Sequence, residues 1–200
     1  MELYTSLQNI IISPDETLEL AKSLKQHQAI RVGYNAIIHN AKTLNGTNCI
    51  LKVCLSGEQD FLKEVYAMTV LSRHEICPRV YEYYWSNNVF KLSDLASKED
   101  IVANKKIRKS LDKDEVYEGV GFIYMEEILN PQPAYATEGF FKKTAMAYSL
   151  GFICQEPDLV TGINPNGDVI SRILDWGNWP ENYVCNFEEF MVTIGYIKTL

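Results

Sequence analysis

The sequence predicts an α+β protein in which an antiparallel sheet comes first and helices follow. An Asn45-Gly46 pair between two strand-like runs is the strongest short hairpin signal in the chain. Apolar residues recur at helical spacing in 58–72, directly after that hairpin. A further helix with an almost wholly apolar second half is predicted over 140–153. Strand pairing near the start and helices later in the chain are typical of an α+β fold.

Length and composition restrict the function. The chain has 200 residues, 46% of them hydrophobic, which is enough for one good core or two small lobes. Its net charge of −7 disfavours nucleic-acid binding, which usually needs a basic surface. No apolar run is long enough for a membrane span, and the N-terminus has no secretory signal, so we expect a cytoplasmic protein. The cytoplasm of a host, reached by secretion, is included in that expectation.

The cysteines predict neither a zinc site nor a disulfide framework. They are odd in number, scattered, and form no CxxC pair, which indicates reduced and mostly buried thiols in a reducing compartment. The five residues are Cys49, Cys54, Cys77, Cys154 and Cys185.

Further elements follow in chain order from turn signals and apolar patterning. We expect a helix from Ser13 to about Gln26, strand segments on both sides of a bend at Gly33, a three-stranded meander through 49–53, and strands at 80–85 and 121–125. The charged segment 91–118 is predicted to be a surface excursion that can include a short helix, and the Pro-rich segment 130–139 a linker. The helix over 140–153 should be central to a second lobe, and 186–200 should form a last helix.

Two charged residues stand out within apolar patterns. Lys52 lies in the strand Ile50–Val53, where a lysine either reaches solvent from its strand or points into a cleft. Glu64 lies on the same helical face as Phe61 and Met68, where a carboxylate needs a cation or donors unless it is solvated at the edge of the stripe. Lys52 is the nearest candidate partner in chain order.

One acid stands at the end of a strand. The apolar run 169–174 delivers Asp175 to a turn that Gly177 permits. Asp175 is then either an ordinary turn residue or a ligand at the mouth of a sheet.

Lys52, Glu64 and Asp175, in this order on these predicted elements, resemble the protein-kinase-like superfamily, including its aminoglycoside and small-molecule kinase branch. The resemblance covers roughly residues 29–178. It implies a bilobal fold, with a five-stranded antiparallel N-lobe sheet within 1–127 and a reduced, mainly helical C-lobe in 128–200. Because only 23 residues follow Gly177, the chain is most similar to minimal kinases of bacterial effector or viral type.

The resemblance implies roles for five residues. Lys52 would hold the α- and β-phosphates of ATP, with Glu64 as its helix partner. Asp175 would bind Mg²⁺ with help from Asn164. Asp158 would act as the catalytic acceptor for a substrate hydroxyl proton.

The same resemblance implies which residues contact the adenine base and cover the nucleotide. Gly33 would belong to the loop that covers the nucleotide. Met125 resembles the gatekeeper, and Glu126 and Glu127 resemble the hinge whose backbone hydrogen-bonds adenine. The resemblance thus implies an ATP- and Mg²⁺-dependent serine/threonine protein kinase with a protein substrate or a regulatory partner.

Other features favour a non-catalytic relative. Arg31 and Ala36 stand where the family prefers glycine, no histidine precedes Asp158, and Asn164 comes one residue late. A pseudokinase that binds a partner, with or without nucleotide, is therefore the alternative, and an unrelated α+β domain is the third. The oligomeric state cannot be read from the sequence.

Overall fold

A computed structural model gives the structure of this chain. The residues that it describes are 14–24, 26–33, 35–43, 46–105, 112–133, 138–152, 158–174 and 176.

Five α-helices, one short 3₁₀ helix (Ser72–His74) and eight strands are formed within these residues. The helices are α1 (Pro14–Leu24), α2 (Glu58–Leu71), α3 (Leu92–Leu95), α4 (Lys98–Lys105) and α5 (Glu138–Ser149). The strands are β1 (Ala29–Val32), β2 (Ala36–Lys42), β3 (Asn48–Cys54), β4 (Val80–Lys91), β5 (Val116–Met125), β6 (Leu129–Pro133), β7 (Asp158–Ile163) and β8 (Val169–Leu174). The fold is α+β, as the sequence predicts.

The chain divides into two compact units, each made of separate stretches. The sheet unit comprises the described residues within 11–61 and 81–125, and the hairpin unit those within 62–80 and 126–176. One boundary between the units lies between Met125 and Glu126, two residues before the predicted division after residue 127. However, residues 62–80, which the sequence places in the first lobe, group with the later part of the chain.

The sheet unit contains a five-stranded antiparallel sheet in the order β1-β2-β3-β5-β4. Strands β2 and β3 form the predicted hairpin, with Ala36 opposite Cys54 and Lys42 opposite Asn48. Gly46 has φ +79° in the connecting turn, a conformation that glycine adopts without strain. The predicted three-stranded meander is confirmed.

One face of this sheet is the core of the unit. Ile37 and Leu51 are fully buried there. Strand β1 packs against helix α4, and helix α1 packs against helix α3. The prediction that 91–118 is a solvated excursion is wrong for its first part. Its few apolar side chains fall on inward helical positions, so that Leu92, Leu95, Ala96 and Ile101 are buried despite the surrounding charges.

The hairpin unit contains a second, three-stranded antiparallel sheet in the order β6-β7-β8. Strand β6 occupies part of the segment predicted to be a linker, which corrects that prediction. Pro131 and Pro133 are tolerated because β6 is an edge strand, where a missing N–H need not break the ladder.

Helix α5 is less buried than its apolar sequence predicts. Ala147 is buried, but Phe141, Met146 and Tyr148 are exposed. The described residues after 127 form three strands and one helix. A mainly helical C-lobe stays a prediction, because much of 128–200 lies outside the described residues. The helix predicted over 186–200 lies outside the described residues. Among the described helices, none is long and apolar enough to cross a membrane.

Candidate functional site

Lys52 lies in the central strand of the five-stranded sheet. Its Cα is opposite Ile38 on β2 and Ile123 on β5. Its strand neighbours Leu51 and Val53 point to the opposite face and are fully buried, whereas Lys52 is only partly buried. Because side chains alternate along a strand, Lys52 is displayed on the second face of the sheet.

The second face combines apolar side chains with Lys52, and the exposed Arg31 and Lys42 lie on the same face. Ile50 and Ile38 lie beside Lys52 and are partly buried, and Met125 is opposite Ile50 at the end of β5. Farther along the same face, Phe61 packs against Tyr83 and Trp85, with ring centroids 6.3 and 5.5 Å apart, respectively. The surface around Lys52 is therefore apolar and incompletely covered, which suits a flat organic group with an anionic tail.

Gly33 does not lie in an open loop. Only residues 33–35 connect β1 to β2, and the Gly33 N–H donates a hydrogen bond to the Ala36 carbonyl at 2.7 Å. Gly33 is also buried. The predicted nucleotide-covering loop is a tight turn at this point, and the Gly33 amide is used to close it.

The segment after β5 has a structural role that the sequence does not reveal. The Glu126 N–H donates to the Arg79 carbonyl at 2.7 Å, so this N–H is not available to a bound base. The Glu126 carboxylate forms an ion pair with Arg172, 3.0 Å between Nε and Oε2. Glu127, also predicted to bind the base, follows in irregular structure and is partly buried.

Glu64 is buried on α2, as its position on the apolar face predicts. Only 6% of the residue is exposed, and Val65 and Met68 are buried beside it in sequence. Glu64 belongs to the hairpin unit and Lys52 to the sheet unit. Their pairing stays a prediction.

Asp158 is the first residue of β7, rather than part of a loop. Its Cα is opposite Leu174, the residue that precedes Asp175. Asp175 itself lies outside the described residues, but both neighbouring segments are anchored. The Ile173 N–H donates to the Ile76 carbonyl at 2.7 Å, and the indole N–H of the buried Trp176 donates to the Ile173 carbonyl at 2.8 Å.

Asn164 is a turn residue at the other end of the same hairpin. Its Oδ1 accepts hydrogen bonds from the N–H groups of Asn166 and Asp168, and its amide donates to the Asp168 carboxylate. Six residues separate Asn164 from Asp158, so about 20 Å of strand lies between this turn and the end that leads to Asp175. Because Asp175 lies outside the described residues, the predicted placement of Asn164 beside a metal at Asp175 stays a prediction.

A cluster of two cations and one carboxylate was missed in the sequence. Arg172 donates to Glu126 through Nε and Nη2 and to the Glu75 and Ser171 carbonyls through Nη1. Lys143, from α5, donates to the same two carbonyls. A charged residue within the apolar run 169–174 was the signal, but its partners are distant in sequence.

Burial sets the ionisation behaviour of this cluster. Burial lowers the pKa of Lys143, and the nearby Arg172 guanidinium lowers it further. Burial also raises the pKa of the Cys77 thiol, so this cysteine is a protonated packing residue rather than a nucleophile. Cys49, Cys54 and Cys77 are buried, as expected, and none of these three is in a disulfide bond. Cys154 and Cys185 lie outside the described residues.

Neither a metal-binding cluster among the described residues nor a similar protein identifies the function of this chain independently. Within the described part of the chain, no three His, Cys, Asp or Glu residues are grouped so that they could hold a metal ion. No protein-family model matches the chain, and no curated protein matches it.

Proposed function

We propose that this chain is a minimal ATP-dependent phosphotransferase of the protein-kinase-like type, with a bilobal fold and a protein as its phosphate acceptor. The observation that carries the proposal is the position of Lys52. It lies on the central strand, on the incompletely covered face, with apolar residues beside it.

The residues around Lys52 fit a nucleotide. An adenine ring needs apolar surface, which Ile38, Ile50 and Met125 supply, and the phosphates need a cation, which Lys52 supplies. The carbonyl of Glu126 and the backbone of Glu127 would provide polar contacts to the base. When bound, ATP supplies the transferred phosphoryl group, and Mg²⁺ neutralises charge on the phosphates.

The remaining roles fall to acidic residues. Glu64 would orient Lys52, and Asp175 would hold Mg²⁺. Asp158 would accept the hydrogen bond of the substrate hydroxyl and take its proton. Such catalysis depends mainly on positioning and charge stabilisation, so a small scaffold is sufficient.

A pseudokinase is the second candidate, and two observations favour it. The Asn164 amide is used within the β7–β8 turn, and the Gly33 N–H is used within the β1–β2 turn. Two groups expected to contact metal and nucleotide are thus engaged elsewhere. In this case the face around Lys52 would bind nucleotide without phosphate transfer.

Phosphate transfer from labelled ATP tests the proposal. The protein is incubated with Mg²⁺ and labelled ATP, alone and with cell extract, and transfer to protein is quantified. Lys52→Met and Asp175→Asn should each reduce transfer about 100-fold or more, because each removes a charge that stabilises the transition state. Lys42→Met, which removes an exposed lysine from the neighbouring strand β2, should transfer normally.

The outcomes separate the two candidates. Transfer that depends on both Lys52 and Asp175 supports the kinase. A rise in melting temperature with ATP alone, lost in Lys52→Met and without any transfer, supports the pseudokinase. If wild-type protein neither transfers phosphate nor is stabilised by ATP, the kinase and the nucleotide-binding pseudokinase are both excluded.

A further inference from the structure

The ion pair between Arg172 and Glu126 is largely buried and is formed through two hydrogen bonds. The side chains of Arg172 and Glu126 are 9% and 13% exposed, and the guanidinium donates to both carboxylate oxygens, at 3.0 and 3.4 Å. Burying two charges costs desolvation energy, and an apolar pair of similar size often stabilises a fold as well or better. Stability alone therefore does not explain why this pair is ionic.

The pair joins two segments that the proposed function uses. Glu126 begins the segment 126–128, which would contact the base, and Arg172 lies on β8, three residues before Asp175. Each segment is also tied separately to residues 75–79. Glu126 exchanges hydrogen bonds with the Arg79 backbone, through both its N–H and its carboxylate, and the Ile173 N–H binds the Ile76 carbonyl.

The guanidinium contacts two other stretches of chain and the residue directly before it. It reaches the Glu126 carboxylate, the Glu75 carbonyl and the Ser171 carbonyl. Glu75 has φ +55°, an unusual backbone conformation for a residue other than glycine, and its carbonyl accepts from both Arg172 and Lys143. A planar guanidinium with fixed donor directions sets the relative position of its partners more strictly than an apolar contact does.

We propose that Arg172 is a positioning residue, whose two-point ion pair with Glu126 aligns the base-contacting segment 126–128 with the strand that leads to Asp175. This inference rests on the proposed function, because it assigns the pair a part in binding nucleotide and metal together. Arg172 contacts neither ligand itself. Its effect passes through the backbone of residues 126–128 and 173–174.

The test replaces the pair without leaving a buried charge alone. The double variant Arg172→Met, Glu126→Leu puts apolar groups of similar size in place of both charges. Arg172→Lys keeps one positive charge and loses the two-point geometry. Lys22→Met is the matched control, because it removes the cation of the exposed Glu19–Lys22 pair on α1.

Three properties are measured on each full-length variant: urea unfolding, the Kd and KM for Mg-ATP, and hydrogen exchange at two amides. The double variant should fold, but its Kd should be about tenfold higher than that of wild type. The reason is that a smaller fraction of the protein would have the binding site in its competent conformation. The Glu126 and Ile173 amides should both exchange faster. Arg172→Lys should show a smaller loss of affinity, and Lys22→Met none.

If the Arg172–Glu126 pair has only a structural role, the measurements on the variants should give a different result. If the double variant folds and binds Mg-ATP as wild type does, with unchanged exchange at both amides, the inference is wrong while the proposed function stands. If the double variant does not fold, Arg172→Lys decides by the same criteria. If wild-type protein does not bind Mg-ATP, the proposed function fails, and this inference with it.

Discussion

His39 is a buried histidine in the core of the sheet unit, where only one ring nitrogen is satisfied. Nε2 lies 3.2 Å from the Leu95 carbonyl, which makes it the donor in a neutral ring. Nδ1 is buried without a hydrogen-bond partner among the described residues. Burial lowers the pKa of His39, although the hydrogen bond to Leu95 and the charge of Asp100 oppose this shift.

The lowered pKa of His39 predicts a loss of stability in mild acid. The unfolded chain binds a proton near pH 6.5, whereas folded His39 resists protonation, so the unfolded state is favoured as pH falls below about 6.5. His39→Gln keeps an amide donor for Leu95 and removes the titration. Unfolding free energies in urea between pH 7.5 and 5 should fall less steeply for this variant than for wild type.

The control for His39 is the exposed His74, on a short 3₁₀ turn. His74→Gln removes a residue of the same type without emptying a core position, and its pH profile should match that of wild type. Equal slopes for wild type and His39→Gln would show that the buried ring does not govern acid stability.

At the scale of elements, a side chain of helix α2 packs directly on strand β5 because residue 121 of the strand is a glycine. A Cβ added at Gly121 would overlap the ring of Phe61, the fully buried residue of α2 that packs on Tyr83 and Trp85. The absence of a side chain at 121 is thus what allows an aromatic ring to lie on the strand.

Gly121→Ala should therefore destabilise the protein by about 1–3 kcal/mol, because the Phe61 ring must shift within a packed cluster. Chemical unfolding with near-UV circular dichroism measures both the energy and the aromatic packing. Gly57→Ala, where an added Cβ meets no atom within 4 Å, is the matched control and should change stability by less than about 0.5 kcal/mol. Equal effects of the two substitutions would contradict this packing argument.

At the scale of the whole molecule, each unit is built from stretches distant in sequence. The second part of α2 and the chain up to Val80 belong with residues after 126. Tyr66 packs against Phe152, with ring centroids 5.4 Å apart, and Ile76 accepts a hydrogen bond from Ile173. Cutting the chain near residue 127 therefore divides one of these units.

A fragment of residues 1–127 should not fold as a soluble monomer, because it would expose side chains that the later residues cover, such as Tyr66, which packs on Phe152. Size-exclusion chromatography and thermal unfolding compare it with the full chain. The same fragment with Tyr66→Lys should aggregate less. A monomeric parent fragment with a cooperative transition would show that residues 1–127 form an independent domain.

The sequence alone determined the elements that depend on local chemistry. The β2–β3 hairpin, the helix of 58–71 and the strand before Asp175 follow from turn residues and from periods of 3.6 and 2, which are visible in neighbouring residues. For Glu64 the sequence left two environments open, a buried one and a solvated edge, and the structure shows the buried one. The proposed roles of Lys52 and Asp175 remain predictions on these elements.

Only the tertiary structure decided features that join distant residues. Segment 130–139 reads as a linker until β7 pairs with β6, and segment 91–118 reads as solvated until α3 and α4 meet the sheet. Arg172 and Glu126 are 46 residues apart in sequence, and no local sequence pattern predicts their pairing. Local patterns record which face of an element is apolar, whereas partners across the fold are set by how those faces pack together.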